Sequence, residues 1–97
     1  DVCCTTPARM FGLYGKKGVI APGADADIVI YDPNGTTHIS AKTHHMNMDC
    51  SAWEGWEIGG HVDVVLSRGT VIVDEGGYRG RPGHGKFVKR DLSQNLL

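Results

Sequence analysis

The sequence predicts a mainly β fold, with one short helix followed by about five strands, mostly antiparallel. Three observations carry this. Glycine stands at 14 of 97 residues, about twice the average usage of ~7%, which favours turns and short strands over helices. The run Asp27-Ile28-Val29-Ile30-Tyr31-Asp32 is rich in β-branched residues. Two further apolar runs, Val62-Asp63-Val64-Val65-Leu66-Ser67 and Val71-Ile72-Val73-Asp74, flank Arg68-Gly69-Thr70 and read as a hairpin with Gly at the position of special dihedrals.

The elements follow in order. Residues 5–15 read as the helix. Thr6 is placed to cap it and Pro7 to occupy its first position. Met10, Leu13 and Tyr14 share one face, with Phe11 beside them, and Gly12 or Gly15 can end the helix in the left-handed region. A helix this short is not stable alone in water and must dock on something. Pro22-Gly23 fits the centre of a type II turn. The continuous β-branched character of 27–32 predicts burial on both faces. Asp32-Pro33-Asn34-Gly35 then reads as a stop, and residues 36–40 as a second short strand. Residues 41–55 are polar and irregular, a length of loop that is usually functional or packed on another surface. After the hairpin, Asp74-Glu75-Gly76-Gly77 makes a turn and Tyr78 starts an edge segment. Residues 79–86 are irregular, and Phe87–Leu97 reads as a helix or an extended arm.

Size and charge bound the function. A chain of this length buries only roughly 60–65% of its unfolded surface if it folds alone. It is too short for a (β/α)8 barrel, which needs about 250 residues. Net charge is −1, from 10 basic and 11 acidic residues. Residues 1–78 hold 5 basic and 10 acidic side chains, whereas residues 79–97 hold 5 basic and 1 acidic. The basic end suits an anion or an acidic neighbouring subunit. Without interleaved aromatics it is a weak nucleic-acid footprint, and no nucleic-acid partner is expected. No apolar run approaches the ~18 residues of a membrane span, so no membrane partner is expected either. The chain opens on Asp1-Val2-Cys3-Cys4, with neither a Met nor a basic segment followed by an apolar stretch, and reads as cut or processed. Three cysteines, two of them adjacent, argue against a disulfide framework and for a reducing compartment.

Each constellation with chemical potential meets a simpler reading. Gly80-Arg81-Pro82-Gly83-His84-Gly85-Lys86-Phe87 nearly fits a phosphate-binding loop but has Phe87 where a metal-holding hydroxyl belongs. A Gly-rich connection that turns tightly across a surface accounts for it. His44, His45 and Cys50 can ligate metals, yet they lack the spacing of a zinc site, and ordinary loop histidines are expected. His38, His61 and His84 read as isolated surface residues. Asp25 and Asp27 are two apart and share a face; Asp25 is expected to cap turn amides rather than to serve in acid–base catalysis with Asp27. Glu54 and Glu57 are likewise not expected to be catalytic. Cys3 and Cys4 precede a helix start, which can activate a thiol, but buried packing near the chain end is the expected role. The residues themselves thus give no catalytic, cofactor-binding or metal site; they read as a β-rich auxiliary or assembly module.

A family resemblance adds to this. The stretches concerned are Thr6-Pro7-Ala8-Arg9-Met10-Phe11-Gly12-Leu13-Tyr14, the segment from Lys17 to Pro33, Ile39-Ser40-Ala41-Lys42-Thr43-His44-His45-Met46-Asn47-Met48-Asp49, Glu54-Gly55, Leu66-Ser67-Arg68-Gly69 and Pro82-Gly83-His84-Gly85-Lys86-Phe87. In this order they resemble the carboxy-terminal part of the dihydropyrimidinase and D-hydantoinase family of cyclic amidohydrolases. Pro22-Gly23-Ala24-Asp25-Ala26-Asp27-Ile28-Val29 marks the amidohydrolase superfamily broadly. Lys42-Thr43-His44-His45-Met46-Asn47 and the Pro82–Phe87 segment look particular to microbial hydantoinases and dihydropyrimidinases. Cys50-Ser51-Ala52-Trp53 departs from the family, where an aromatic usually follows Asp49, and so does the Trp56 segment.

The resemblance implies a TIM-like barrel joined to a composite β-sandwich. Residues 1–15 would be the terminal helix of the barrel domain, 16–78 sandwich strands, and 79–97 a tail or oligomerisation arm. Strands 27–32 and 62–74 would have unpaired edges without the rest of the sandwich. It implies a cytoplasmic, zinc-dependent parent that hydrolyses dihydropyrimidines or 5-substituted hydantoins to N-carbamoyl amino acids. Its two zinc ions would be held by histidines, an Asp and a carbamylated Lys on barrel strands, and none is expected on this chain. The chain alone would be inactive. Its partners would be the remainder of its own enzyme and, in a homotetramer, a neighbouring subunit contacted by Arg79–Arg90 with Phe87 and Val88. Two other readings stand beside this one. The first is a non-enzymatic scaffold sharing the sandwich, as in the collapsin-response mediator proteins. The second is a free-standing β domain that binds an anion through residues 79–90.

Overall fold

A computed structural model describes residues 1–92. One helix, α1 (Thr5–Met10), precedes four strands: β1 (Ile28–His38), β2 (Glu57–Ser67), β3 (Thr70–Asp74) and β4 (Gly77–Tyr78). They form one antiparallel sheet in the order β1-β2-β3-β4. The mainly β class and the short helix agree with the sequence. Among the described residues no helix is long and apolar enough to cross a membrane.

The helix is shorter than residues 5–15. It stops at Met10, and Gly12 and Gly15 follow with φ of 67° and 91°. Cys4, not Thr6, stands at its N-terminal cap, with no side-chain hydrogen bond, so Pro7 falls in the third helical position. The threonines serve elsewhere. Thr5 Oγ1 donates to the Gly18 carbonyl at 2.8 Å, and Thr6 Oγ1 donates to Asp1 Oδ1 at 3.2 Å. The helix therefore docks on the 16–19 segment, where a Cβ at Gly18 would overlap Ala8.

Local turn chemistry folds as the sequence indicates. Gly23 has φ 93° and the Ala24 amide donates to the Ala21 carbonyl at 3.1 Å, which closes the Pro22-Gly23 turn. Arg68 (φ 46°) and Gly69 (φ 77°) join the paired residues Ser67 and Thr70, and Glu75 (φ 49°) and Gly76 (φ 73°) join Asp74 and Gly77. Positive φ at both central residues is the type I′ hairpin whose twist matches the strands it connects.

The longer-range pairing differs from the expectation. Residues 33–35 do not end a strand. They bulge out of β1, which resumes at Thr36 opposite Gly59 and runs to His38 opposite Glu57. The segment expected as a separate strand is the far half of β1, and β2 begins at Glu57, ahead of Val62. Among the described residues four strands result rather than about five. Gly60 lies inside this irregularity at φ 85°, where a Cβ would overlap the Tyr31 hydroxyl. That hydroxyl donates to the Gly59 carbonyl at 3.0 Å. Strand β2 has partners on both sides; among the described residues the outer edge of β1 carries no strand, and β4 covers only one end of β3.

Burial is the unusual feature. Ala8, 6% exposed, is the one apolar side chain buried among the described residues. Ile28, Val29, Ile30 and Tyr31 stand opposite Leu66, Val65, Val64 and Val62, an apolar ladder, yet Val29, Ile30, Tyr31 and Val62 are all exposed. The described residues do not provide the burial expected for this strand on both faces, since they form a single sheet with no second sheet against it. The surface area is 7767 Å². A self-contained folded chain of this mass exposes about 5,400 Å², so the excess is roughly 2,300 Å². The radius of gyration is 15.8 Å, against about 12.5 Å for a compact domain of this length.

Candidate functional site

The most developed polar arrangement joins four stretches of chain at one end of the sheet. Lys17 comes from the turn after α1, Asp25 and Asp27 from the approach to β1, Arg68 from the β2–β3 turn, and His84 from the tail. Lys17 Nζ lies 2.8 Å from Asp25 Oδ2 and donates to Asp27 Oδ2, while Lys16 Nζ lies 3.6 Å from Asp25 Oδ1. The other Asp27 oxygen, Oδ1, accepts the Arg68 amide at 2.8 Å, and the Gly69 amide donates to the Ala26 carbonyl at 2.9 Å. The Arg68 guanidinium donates to the His84 carbonyl, and the His84 ring Nε2 sits 3.1 Å from the Ser67 carbonyl.

The charges act on one another. The Lys17 ammonium, hydrogen-bonded to both carboxylates, holds Asp25 and Asp27 below the ordinary carboxyl range against an opposing desolvation; the Arg68 amide adds to this at Asp27 and Lys16 at Asp25. For Lys17, desolvation favours the neutral amine, and its bonds to the two aspartates outweigh that and raise its pKa. Carboxyls held this firmly ionised are poor proton donors and weak bases at neutral pH. The arrangement is a clamp that fixes the β2–β3 turn against the approach to β1 and the tail against that turn.

The pairing of Asp25 with Asp27 on one face is legible from their spacing. The expected capping of turn amides by Asp25 is not what forms: Asp25 pairs with lysines, and Asp27 is the residue that accepts an amide. His84, expected to be isolated, is pinned by the hairpin turn. His38 and His61 also have partners, at 3.4 Å from Glu57 and 2.6 Å from Asp63. Sequence reasoning misses Lys17, Arg68 and His84 as clamp members; the signal available is the Lys16-Lys17 pair near Asp25 and Asp27 in a chain with an Arg-Gly hairpin turn.

The remaining candidates do not converge. Glu54 accepts the Ser40 hydroxyl at 2.7 Å and the Ala41 amide at 2.7 Å, in that order the causes of its lowered pKa, and so closes the 41–53 loop. The His45 ring packs on Tyr78 with centroids 5.7 Å apart, while Cys50 is exposed. Cys3 and Cys4 are exposed as well, contrary to the expected packing, since nothing in the described chain lies over them. The Gly80–Phe87 segment follows β4, a two-residue antiparallel strand rather than the parallel strand of a phosphate loop; it turns at Gly83 (φ 80°) with the His84 amide donating to the Arg81 carbonyl at 3.2 Å. No three His, Cys, Asp or Glu side chains among the described residues are placed to hold a metal ion.

Comparison with known proteins supplies the identity that the polar groups alone do not. The amidohydrolase family model matches residues 1–72. The D-hydantoinase of Streptomyces coelicolor is 60% identical over 96 residues, which cover 99% of this chain and 21% of that protein. The dihydropyrimidinase of Rattus norvegicus is 48% identical over 89 residues, 92% of this chain and 17% of that protein. A solved D-hydantoinase structure superimposes with a TM-score of 0.86 at 47% identity, over 94% of this chain and 20% of that one. The chain thus spans about a fifth of the length of the relatives it matches. It belongs to the amidohydrolase family, and along nearly its whole length it resembles that family's D-hydantoinases and dihydropyrimidinases.

Proposed function

We propose that this chain is the carboxy-terminal module of a cyclic amidohydrolase that opens dihydropyrimidine or 5-substituted hydantoin rings to N-carbamoyl amino acids. The observation that carries the reading is the 60% identity to the Streptomyces coelicolor D-hydantoinase over 96 residues. The uncovered apolar ladder of β1 and β2 supports it, since a strand rich in Val and Ile is stable only when another layer lies over it. In this reading residues 1–15 close the barrel domain, 16–78 are sandwich strands, and the water-activating centre, two zinc ions by the resemblance, belongs to chain outside these residues. No residue of this segment is assigned a catalytic part. The unpaired cysteines suit a cytoplasmic enzyme.

The test is a chimera in which these 97 residues replace the matching segment of the Streptomyces coelicolor enzyme. It retains hydantoin hydrolysis, whereas the isolated chain with added zinc shows none. A folded, metal-loaded chimera without hydantoin turnover, or turnover by the chain alone, contradicts the reading. Residues 79–97, with half of the basic side chains and the 94% exposed Phe87, are proposed to contact a neighbouring subunit of a homotetramer. Removing residues 84–97 from the chimera lowers the mass seen by light scattering; an unchanged tetramer rules the arm out.

A further inference from the structure

Two exposed aromatic surfaces of opposite charge lie at opposite ends of the sheet. At the end away from the β2–β3 turn, the Ile39 amide donates to the Trp56 carbonyl and the Gly55 amide to the Ile39 carbonyl, each at 2.8 Å. Residues 53–56 therefore sit just beyond the last pair of the β1–β2 ladder, His38 opposite Glu57. The Trp56 amide donates to the Trp53 carbonyl at 3.0 Å, and Gly55 takes φ 81° in the turn so formed. Both indoles stay more than half exposed, Trp53 at 56% and Trp56 at 60%. Around them segment 39–57 carries exposed Asp49, Glu54 and Glu57 against Lys42 alone.

The tail presents the complementary surface. The Arg79 amide donates to the Ile72 carbonyl at 2.8 Å, so the tail leaves along the free edge of β3. It then passes the β2–β3 turn, where Arg68 holds the His84 carbonyl, and reaches α1, where the Asp91 amide donates to the Gly12 carbonyl at 2.9 Å. A Cβ at Gly12 would overlap the Asp91 backbone, which shows how closely the tail is seated. Between these two anchors Phe87 stands out almost wholly exposed, beside exposed Lys86, Lys89 and Arg90.

We propose that the Trp53–Trp56 surface is the docking site for the Phe87 segment of a second copy of this chain. The two surfaces cannot meet within one copy. Strand β2 separates Glu57 from Ser67 by ten residue steps, about 33 Å at the rise of a strand. Phe87 is only three residues beyond His84, about 10 Å of chain at most. Two copies related by a two-fold axis, with their sheets antiparallel, seat each tail on the other's tryptophans and form the same contact twice. Phe87 supplies the apolar anchor between the indoles, and the basic tail residues meet the acidic rim. The inference rests on the reading of residues 79–97 as an arm onto a neighbouring subunit and names the surface that receives it.

The experiment places a photo-crosslinking benzoylphenylalanine at position 87 of the chimera. Irradiation gives a band of twice the protomer mass on a denaturing gel, and digestion joins the residue 87 peptide to the one containing Trp53 and Trp56. Trp56→Ala removes that crosslink and raises the protomer concentration at which the assembly dissociates on the order of tenfold, the scale of a central aromatic contact. Phe87→Ser does the same from the other side, so a Trp56→Ala variant that does not fold leaves the test decisive. A crosslink that keeps the protomer mass, one that reaches a different segment of the partner, or none at all overturns the proposal. Loss of mass on removing residues 84–97 with crosslinks elsewhere leaves the arm standing and removes only this docking site. A chimera that crosslinks as expected but does not hydrolyse hydantoin removes only the reading of the parent activity.

Discussion

The two ends of this sheet are held together by opposite means. At the hairpin end, Lys17, Asp25, Asp27, Arg68 and His84 satisfy one another within the chain. Along β1 and β2, Val29, Ile30, Tyr31 and Val62 stand opposite other apolar residues or one another and remain exposed. The polar contacts close inside the chain, and the apolar ones do not. Polar contacts are directional and fix geometry, but each contributes only about 1 kcal/mol net. Apolar burial supplies most of the stability at about 25 cal/mol per Å². In the proposed reading, the segment specifies its own shape and takes its stability from a further layer.

The sharpest way to break this contrast is at Gly60. Its φ of 85° and the Tyr31 hydroxyl leave no room for a side chain. Gly60→Ala in the chimera lowers stability by about 2–3 kcal/mol, the scale of an overpacked and strained position. The shift of the urea midpoint measures it, and a shift too small to resolve means that the irregularity at residues 32–36 is soft.

The clamp gives a smaller effect. Asp27→Ala removes the partner of both Lys17 and the Arg68 amide and costs about 1 kcal/mol, a value kept low by partial solvent exposure. Asp27→Asn keeps an oxygen for the amide and loses less than half of that. Equal losses in the two variants show that the ion pair alone matters and the turn is not held through Asp27.

The smallest effect is the pH dependence of the same clamp. Asp27 and Asp25 have lowered folded values, so their contribution is complete above the unfolded carboxyl value of about 4 and disappears as pH falls through the lowered ones. Lys17 has a raised folded value, so its contribution is complete below the unfolded value of about 10.4 and disappears as pH rises through the raised one. The difference in stability between the parent and Asp27→Asn chimeras is accordingly flat across neutral pH and narrows at both extremes. A difference that grows as pH falls below about 4 has the wrong sign for a Lys17–Asp27 pair.

What is legible in the sequence follows the same division. The turn at Pro22-Gly23, both hairpin turns and the helix near Thr5 are readable because each is decided by a few adjacent residues and their dihedrals. The bulge at 33–35 is not. Asp-Pro-Asn-Gly is locally a stop, and only the pairing of Thr36–His38 with Glu57–Gly59 continues the strand through it. The clamp is half legible: the aspartate spacing shows, but Arg68 and His84 reach it through folding, from far along the chain. Burial on both faces of residues 27–32 is a demand of the sequence that the described chain does not meet by itself. The relation to hydantoinases is legible from ordered motifs spread along the chain, which no single site residue reveals.

Dependence of the sheet on a further layer is best tried by amide hydrogen exchange across β1 and β2, on the isolated chain and inside the chimera. In the isolated chain these amides exchange within the time of local opening, and in the chimera they become strongly protected. Slow exchange of the Val29, Tyr31 and Val64 amides in the isolated chain, lost together in one cooperative transition with urea, would mean that the chain needs no such layer.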